Sequence, residues 1–341
     1  MIKEQLEKIA HSRDLSRDEA AKVLQMIIDE QLTATEIGAF LFGLRIKGES
    51  VDEIQGFIDT MQQHMIKVTL DDHNAIDICG TGGDNKHSFN VSTTAAIVIA
   101  SGDVSVAKHG NRSVSSKTGS ADVLEILGVR IDLSPEKTKQ CVDEIGFGFF
   151  FAPLYHPAMK AVVPHRKNLA TRTVFNMLGP LLNPAGVKRQ LIGTFNRETA
   201  QKTAAVLKQR NYLKACVVHS DDGFDEISPF TDNRIFEVDK DKTEIDSYIF
   251  TPVKYSGIFN EEASVQGGDG EQNAIITLSV LRGENGIPRA MTILNAAFGL
   301  YVGDRVKTIN DGISLATELI DNGNAMMKLN EVREFSNDLA N

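Results

Sequence analysis

The stretch AIDICGTGGDNKHSFNVSTTAAIVIA, residues 75–100, decides the fold of the larger part of this chain. Apolar residues dominate 75–79, which predicts a buried strand, and the small apolar run 95–100 predicts a helix. Between them, the glycines within 80–83 permit positive φ angles and close approach of a ligand to the backbone. Residues 92–94, all hydroxylic, are expected at the helix N-terminus, where N–H groups and the helix dipole attract an anion. The stretch therefore predicts a strand, an anion-binding loop and a helix.

A second polar loop, KHGNRSVSSKTGSAD, occupies residues 108–122. Mainly apolar runs at 104–107 and 123–127 flank it, so a short strand, a basic loop and a helix start are predicted. Cations, hydroxyls and glycines in one run offer donors to an anion, above all phosphate. The alternative is an ordinary solvated surface loop. The loop at 80–84 matches neither the Rossmann nor the Walker consensus, but two such loops, each after a strand, favour a diphosphate ligand.

Bulk properties limit the class of protein. A chain of 341 residues is long enough to bury a large core, and we expect it to divide into two domains. The net charge of −10 argues against non-specific nucleic-acid binding. No apolar run approaches the roughly 20 residues of a membrane span, and the first residues lack the apolar centre of a signal peptide. We therefore expect a cytoplasmic protein with no membrane partner, whose three cysteines are reduced thiols.

The pattern along the chain predicts an α/β fold: a small all-helical domain, and a larger domain with a central mixed or parallel sheet flanked by helices. Capping boxes at Ser16, Thr33 and Ser50, each with a glutamate three residues later, predict helices in the first 67 residues. Helix starts are also expected at Pro135 and Pro164, and 255–273 is expected to be a long loop. The predicted strands are 75–79, 104–108, 129–133, 215–219 and 291–295.

Two further places carry chemistry. Asp225 and Glu226 follow the predicted strand 215–219, where adjacent carboxylates suit Mg²⁺, although local sequence alone favours a solvated acidic loop. Arg166 is predicted in the first turn of the helix that begins at Pro164, where a cation opposes the helix dipole. An incoming anion would offset that cost, and the planar guanidinium matches a carboxylate.

The glycine loop after the strand 75–79 and the basic loop at 108–122, together with four other motifs, resemble the anthranilate phosphoribosyltransferase family of tryptophan biosynthesis. That family lies within the nucleoside phosphorylase/phosphoribosyltransferase fold family. The motifs are CGTGGD (79–84), FNVST (89–93), the basic run 108–122, FAPLYHPAM (151–159), FNMLGPLLNP (175–184) and DEIS (225–228). Asn85 stands where the family usually has glycine, but asparagine tolerates the left-handed conformation. The resemblance implies transfer of the phosphoribosyl group of 5-phosphoribosyl 1-diphosphate (PRPP) to the anthranilate amine, with release of pyrophosphate.

The resemblance also implies a domain division and ligand sets. A discontinuous helical domain would comprise 1–67 with 164–188, and an α/β domain would comprise 68–163 with 189–341. Anthranilate would contact Gly80, Asn111 and Arg166, while Ser92, Asp225 and Glu226 would hold Mg²⁺, with two ions per subunit. A homodimer through the helical domain is expected. The residues implied for PRPP are Gly80, Gly83, Asp84, Ser88, Asn90, Val91, Ser92, Thr93, Lys108, His109, Gly110, Asn111, Arg112, Ser113, Val114, Ser115, Ser116 and Ser120.

No covalent nucleophile or assigned general base emerges, because the chain has no Ser/His/Asp signature. His109 is interpreted as a positioning group, with a general base, a stacking group or a plain loop residue as alternatives. His156 is expected to shape an aromatic pocket. Two other functions stay open: a pyrimidine nucleoside phosphorylase-like enzyme, whose glycine loop KHSTGGVGD is absent, and a non-catalytic nucleic-acid-binding relative, against which the acidic balance argues.

Overall fold

A computed structural model describes residues 2–112, 118–253 and 265–340. The chain divides into two compact units, Met1–Lys67 with Pro153–Leu182 and Val68–Ala152 with Asn183–Asn341. The second segment of the helical unit thus begins and ends earlier than the 164–188 that we predicted. Tyr155 is fully buried in this unit, where its carbonyl accepts the Ile66 N–H at 2.9 Å. Asn183, in contrast, donates its side-chain N–H to the Ala107 carbonyl at 2.8 Å within the α/β unit.

Short helices with well-formed N-termini build the helical unit. The three predicted capping boxes are confirmed, since the side chains of Ser16, Thr33 and Ser50 each accept the N–H of the glutamate three residues later. Their apolar stripes form the interior of this unit. Its helices are α1 (Ile2–Ala10), α2 (Arg17–Ile28), α3 (Ala34–Lys47), α4 (Val51–His64), α8 (Ala152–Tyr155, at the boundary), α9 (Met159–Leu169) and α10 (Phe175–Leu178), followed by a 3₁₀ turn (Gly179–Leu181).

A mixed sheet forms the centre of the other unit, which confirms the predicted fold class. Its strands are β1 (Ile76–Gly80), β2 (Val106–Gly110), β3 (Phe147–Phe151), β4 (Arg189–Gly193), β5 (Lys214–Ser220), β6 (Asn233–Asp239) and β7 (Asp246–Phe250). Within the described residues their order is β3-β2-β1-β4-β5-β6-β7. The first five in this order are parallel, and the last two pairings are antiparallel. Strand β7 is the last strand of the sheet among the residues that the structure describes, and its Ile249 is exposed.

Helices cover this sheet and complete its core. They are α5 (Val91–Ser101), α6 (Ser120–Ile126), α7 (Pro135–Ile145), α11 (Arg197–Gln209), α12 (Gly270–Leu281), α13 (Ile287–Val302), α14 (Ile309–Asp321) and α15 (Asn324–Ala340). Nine of the eleven residues of α5 are buried, so this helix lies inside the unit and its position is fixed by packing on all sides. None of the described helices is both long enough and apolar enough to cross a membrane.

Two predicted strands are wrong. Residues 291–295 lie inside α13, because a short buried apolar run cannot by itself distinguish a strand from a buried helix. Residues 129–133 place Val129, Ile131 and Leu133 in the core but form no strand. The Arg130 N–H donates to the Ser336 hydroxyl at 3.0 Å. The predicted strands 75–79, 104–108 and 215–219 are confirmed to within two residues at each end as β1, β2 and β5.

Candidate active site

The order of the strands places the two phosphate-binding candidates at one edge of the sheet. From β1 the chain continues to β2 on one side, whereas β4 lies on the other side of β1. Such a reversal of strand order is a topological switch point, and ligands of open α/β sheets bind outside the carboxyl ends of the strands there. The glycine loop follows the carboxyl end of β1, and the basic loop follows that of β2.

The glycine loop adopts the backbone conformations that its sequence allows. Gly82 and Gly83 have φ angles of 65° and 79°, and Asn85 has a φ of 60°. Asn85 thus takes the left-handed conformation that asparagine tolerates. The Gly82 N–H donates to Oδ2 of Asp225 at 2.7 Å. A Cβ at Gly80 would lie 2.5 Å from that same oxygen, so the loop closes around the carboxylate only because position 80 is glycine.

Three carboxylates approach one another beside this loop. The Asp225 N–H donates to Oδ2 of Asp84 at 3.4 Å, and Asp225 itself is buried. Burial, with a further contribution from Asp84, raises the pKa of Asp225 to about 8. Burial and the neighbouring Asp225 also raise the pKa of Glu226 well above its usual value, against the opposing effect of Lys108. Desolvated carboxylates that repel one another are typical of a site that binds a cation.

The donor set fits a hard cation. All its ligating atoms are oxygens, as Mg²⁺ requires, and the Ser92 N–H is oriented to Glu226. Across residues 2–112, 118–253 and 265–340, no group of three or more His, Cys, Asp or Glu side chains is arranged so that it could hold a metal ion, and this includes Asp84, Asp225 and Glu226. Mg²⁺ commonly keeps several waters and takes substrate phosphates as ligands, so a site with two carboxylates is sufficient.

Lys108 lies beneath the glycine loop rather than on the surface. Its side chain is buried on β2, and its Nζ donates to the Ile78 carbonyl at 2.7 Å and to Oγ of Ser92 at 3.4 Å. Burial lowers the pKa of Lys108, while the charge of Asp77 opposes that change. The ammonium group therefore brings a positive charge to the amino end of α5. It lies next to Ser92, one of the residues at which the sequence predicts anion binding.

Residues 90–93 form the start of α5. Val91 and Thr93 are buried, and Oγ1 of Thr93 has no hydrogen-bond partner among the residues that the structure describes. An unsatisfied buried hydroxyl costs free energy unless a ligand or water completes it. Ser88 pairs with Gln266 in an isolated β-bridge. The amino end of α5 thus combines an unsatisfied buried hydroxyl, that of Thr93, with a fixed backbone.

The basic loop is described only at its two ends, because Ser113, Val114, Ser115 and Ser116 lie outside the described residues. The His109 N–H donates to Oδ1 of the buried Asp77 at 3.2 Å. The guanidinium of Arg112 forms ion pairs with Asp122 and Glu125, each at 2.8 Å, and these carboxylates raise its pKa. Gly110 ends β2, and Oγ of Ser120, the first residue of α6, donates to the Asn111 carbonyl at 3.3 Å.

The prediction that Pro164 begins a helix is wrong. Helix α9 begins five residues earlier, at Met159, and Pro164 lies within it. Arg166 is therefore in the last turn of α9, where a cation is stabilised by the helix dipole. The electrostatic argument for an anion at Arg166 does not hold. What the structure shows instead is a partly buried guanidinium with its Cζ 5.6 Å from the centre of the Phe175 ring, and burial lowers its pKa.

Comparisons with known proteins agree along the whole chain. A family model described as "Glycosyl transferase family, a/b domain" matches residues 72–326, and one described as "Glycosyl transferase family, helical bundle domain" matches residues 3–65. The anthranilate phosphoribosyltransferase of Thermoanaerobacter sp. (strain X514) is 46% identical over 98% of each chain. The chain belongs to the anthranilate phosphoribosyltransferase family.

Solved structures of the family have the same fold. The anthranilate phosphoribosyltransferase of Thermus thermophilus is 35% identical and superposes with a TM-score of 0.89, covering 97% of this chain and 99% of that one. The Saccharomyces cerevisiae enzyme, solved in complex with PRPP and Mg, is 27% identical with a TM-score of 0.87, covering 98% and 97%. These neighbours confirm the family resemblance that the sequence motifs indicated.

Sequence reasoning about this family member missed two polar residues that hold the site. Asp77 is completely buried on β1, accepts the His109 N–H and is also 3.3 Å from Nε2 of Gln190. The sequence signal for Asp77 is a single acidic residue within the apolar run of β1. A buried acid of this kind requires polar partners. Asn273 contacts Asn90. The sequence pattern predicts a loop over 255–273, which is wrong for residues 270–273, because they form the first turn of α12.

Proposed function

We propose that this protein transfers the phosphoribosyl group of PRPP to the amine of anthranilate and releases pyrophosphate. The observation that carries the proposal is the enclosure of the Asp225 carboxylate by the glycine loop at the switch point of the sheet. A raised carboxylate pKa and an unsatisfied hydroxyl at the start of α5 support a site for Mg²⁺ and diphosphate together. The names of the relatives supply the identity of the two substrates.

We assign the diphosphate to the glycine loop and the amino end of α5. Backbone N–H groups there, with the hydroxyls of Ser92 and Thr93, offer donors to the departing oxygens. Lys108 adds a buried positive charge beside Ser92. We keep Gly80, Gly83, Asp84, Ser88, Asn90 and Val91 in this set. The phosphoribosyl portion is assigned to residues 109–116 and Ser120.

Arg112 would have to exchange partners to reach phosphate, because Asp122 and Glu125 hold its guanidinium in this structure. Phosphate oxygens match the guanidinium bidentately, as carboxylates do. We propose that PRPP competes with these two carboxylates for Arg112. Its contribution to PRPP binding is then smaller than that of a cation without such partners.

We assign two Mg²⁺ ions to Ser92, Asp225 and Glu226. Bound there, the metal would neutralise charge that develops on the leaving diphosphate. The contribution of the chain is to hold two desolvated carboxyl groups beside the start of α5, and a bound cation would favour their ionised form there. We expect the C1–O bond of the ribose to break ahead of attack by the amine. The reaction then depends on the positioning of the two substrates and needs no strong base to deprotonate the amine beforehand. His109 stays a positioning residue, held through its backbone by Asp77.

We assign anthranilate to Gly80, Asn111 and Arg166, with Arg166 as the partner of its carboxylate. The partly desolvated guanidinium in the helical unit supports this assignment. A homodimer through the helical unit is also proposed, since the unit exposes Phe42 and Ile46 on one side of α3. A cytoplasmic location stays a prediction from the sequence.

The test follows the loss of anthranilate fluorescence with PRPP and Mg²⁺ present, and with each omitted. We expect turnover only with both. Replacing Asp225 and Glu226 together by alanine should abolish turnover at limiting Mg²⁺, with partial recovery in excess Mg²⁺. The matched control is Asp241→Ala with Glu244→Ala, which removes two exposed carboxylates from the same unit and should leave turnover unchanged.

Two results would contradict the proposal. Near-normal activity of the Asp225/Glu226 double variant at limiting Mg²⁺ would place the metal elsewhere. Cleavage of a pyrimidine nucleoside by free phosphate without Mg²⁺, with no consumption of anthranilate, would instead identify the phosphorylase-like activity.

A further inference from the structure

A segment outside the proposed ligand sets runs alongside the glycine loop. Residues 265–268 pair with residues 87–89: the Phe89 N–H donates to the Val265 carbonyl at 3.0 Å, and the Gly267 N–H donates to the His87 carbonyl at 2.8 Å. The Gly268 carbonyl accepts the hydroxyl of Thr118, at the end of the basic loop, at 3.0 Å. This segment, 265–268, therefore contacts both loops and leads directly into α12.

Asn273 connects that segment to the start of α5. Its side chain is 2% exposed. Oδ1 of Asn273 accepts the Gly268 N–H at 2.8 Å, and Nδ2 of Asn273 donates to Oδ1 of Asn90 at 2.9 Å. Asn273 thus makes one hydrogen bond with each end of its amide group.

These contacts define the polarity of the Asn90 amide. A backbone N–H can only donate, so the atom of Asn273 that faces Gly268 must be its oxygen. The other atom of that amide is then the NH₂ group, which requires an acceptor from Asn90. Asn90 consequently turns Oδ1 to Asn273 and is left with Nδ2, a donor, as its second polar atom.

We propose that Asn273 is a positioning residue that fixes the Asn90 amide with its N–H donors toward the diphosphate of PRPP. The inference rests on the proposed function, because Asn90 acts on PRPP only if PRPP is the substrate. In the opposite amide orientation, Asn90 would present its carbonyl oxygen to the anion and repel it. Asn273 itself touches no reacting atom.

A double-mutant cycle with Asn90 tests the inference. Asn90→Ala and Asn273→Ala are made singly and together, and KM is measured for PRPP and for anthranilate. Loss of one hydrogen bond to a charged group predicts a rise in KM for PRPP of about ten- to a hundredfold in Asn90→Ala. Asn273→Ala should raise the same KM by a smaller factor and leave the KM for anthranilate unchanged. In the Asn90→Ala background, Asn273→Ala should add less than about twofold, because it acts through Asn90.

Asn273→Asp is the second variant, in case the alanine substitution prevents folding. It keeps the size of the side chain and an acceptor for the Gly268 N–H, but it cannot donate to Asn90. The Asn90 amide should then rotate and present its oxygen to the ligand, so the KM for PRPP should rise at least as much as in Asn90→Ala. Much of this rise should disappear in the Asn90→Ala background.

Thr277→Val is the matched control. Thr277 lies one turn further along α12, is fully buried and shares a 3.0 Å hydrogen bond with Thr94 of α5. This variant weakens the same contact between α12 and α5. Thr94 keeps its 3.1 Å hydrogen bond to the Asn90 backbone carbonyl, and the hydrogen bond of the Asn90 side-chain amide to Asn273 is unchanged. The melting temperature should therefore fall while both KM values hold. Equal rises for both substrates in Asn273→Ala, or additive effects in the cycle, would overturn the inference. An inactive wild type would instead contradict the proposed function itself.

Discussion

Arg166 shows how one backbone detail changes the meaning of a residue. The sequence pattern predicts Pro164 as a first helical residue, where a following arginine opposes the helix dipole. In the structure the proline lies inside α9 and the arginine is in its last turn. Proline is more frequent at helix starts than in helix interiors, so the pattern could not reveal this exception. The family resemblance separately implies that Arg166 contacts anthranilate. The location of Pro164 does not affect that implication.

Arg166→Ala should therefore impair both binding and stability. We expect a strong rise in KM for anthranilate with little change for PRPP. Loss of the dipole interaction and of the contact with the Phe175 ring should lower the free energy of unfolding by about 1 kcal/mol. Lys167→Ala, in the same turn but exposed, is the control and should lose only the dipole part. Saturation curves measure binding and denaturant titrations measure stability. A KM for anthranilate equal to that of the wild type would contradict the assignment of Arg166 to the anthranilate carboxylate.

His156 gives the helical unit a predictable response to acid. Burial lowers the pKa of this imidazole to about 4, from an ordinary value near 6.5. Between these pH values the unfolded state binds more protons than the folded state, so stability is present above pH 6.5 and is lost as pH falls toward 4. Relative to His156→Gln, the wild type should lose on the order of 2 kcal/mol between pH 7 and pH 5. Equal losses in both proteins, measured by urea unfolding, would contradict the buried neutral state.

At the scale of elements, β4 and the acidic loop fit together through one glycine. A Cβ at Gly193, the last residue of β4, would overlap the backbone carbonyl of Asp225. The loop reaches the site only because β4 has no side chain at this position. No strand was predicted at the position of β4. The close contact between Gly193 and Asp225 therefore could not be inferred from the sequence.

Gly193→Ala should displace Asp225 and Glu226 together. We expect Mg²⁺-dependent turnover to fall at least tenfold and stability to fall by about 1–3 kcal/mol, because the added methyl group meets backbone. Gly38→Ala is the control: that glycine lies within α3 with open space around its Cβ position, so the substitution should stabilise the protein by roughly 0.5–1 kcal/mol. Unchanged turnover in Gly193→Ala would show that the acidic loop can move without consequence.

Helix and strand prediction succeeded where a local physical signal existed. The capping boxes fixed the starts of α2, α3 and α4, and the glycine loop fixed the end of β1. Strands β3, β4, β6 and β7 were missed because their short runs lack such signals and depend on pairing with distant strands. The contact of Asn273 with Asn90 spans 183 residues of sequence and could not be inferred from spacing.

For the whole molecule, oligomerisation through the helical unit has a direct test. Phe42 and Ile46 are 48% and 73% exposed and lie four residues apart, on one side of α3. Sedimentation velocity should give a dimer for the wild type and a monomer for Ile46→Glu. Met327→Glu, which places the same charge on an exposed methionine of α15, should stay dimeric. A monomeric wild type would remove the proposed interface.

The open edge of the sheet has a consequence for handling the protein. Within the described residues β7 is the last strand, so one row of its backbone amides faces outward beside the exposed Ile249. Such an edge can template pairing with another chain, especially while many chains refold together at high concentration. We expect Ile249→Lys to give less light scattering and a higher yield after dilution from denaturant, with kcat/KM unchanged. Equal scattering from both proteins would mean that aggregation begins at some other surface.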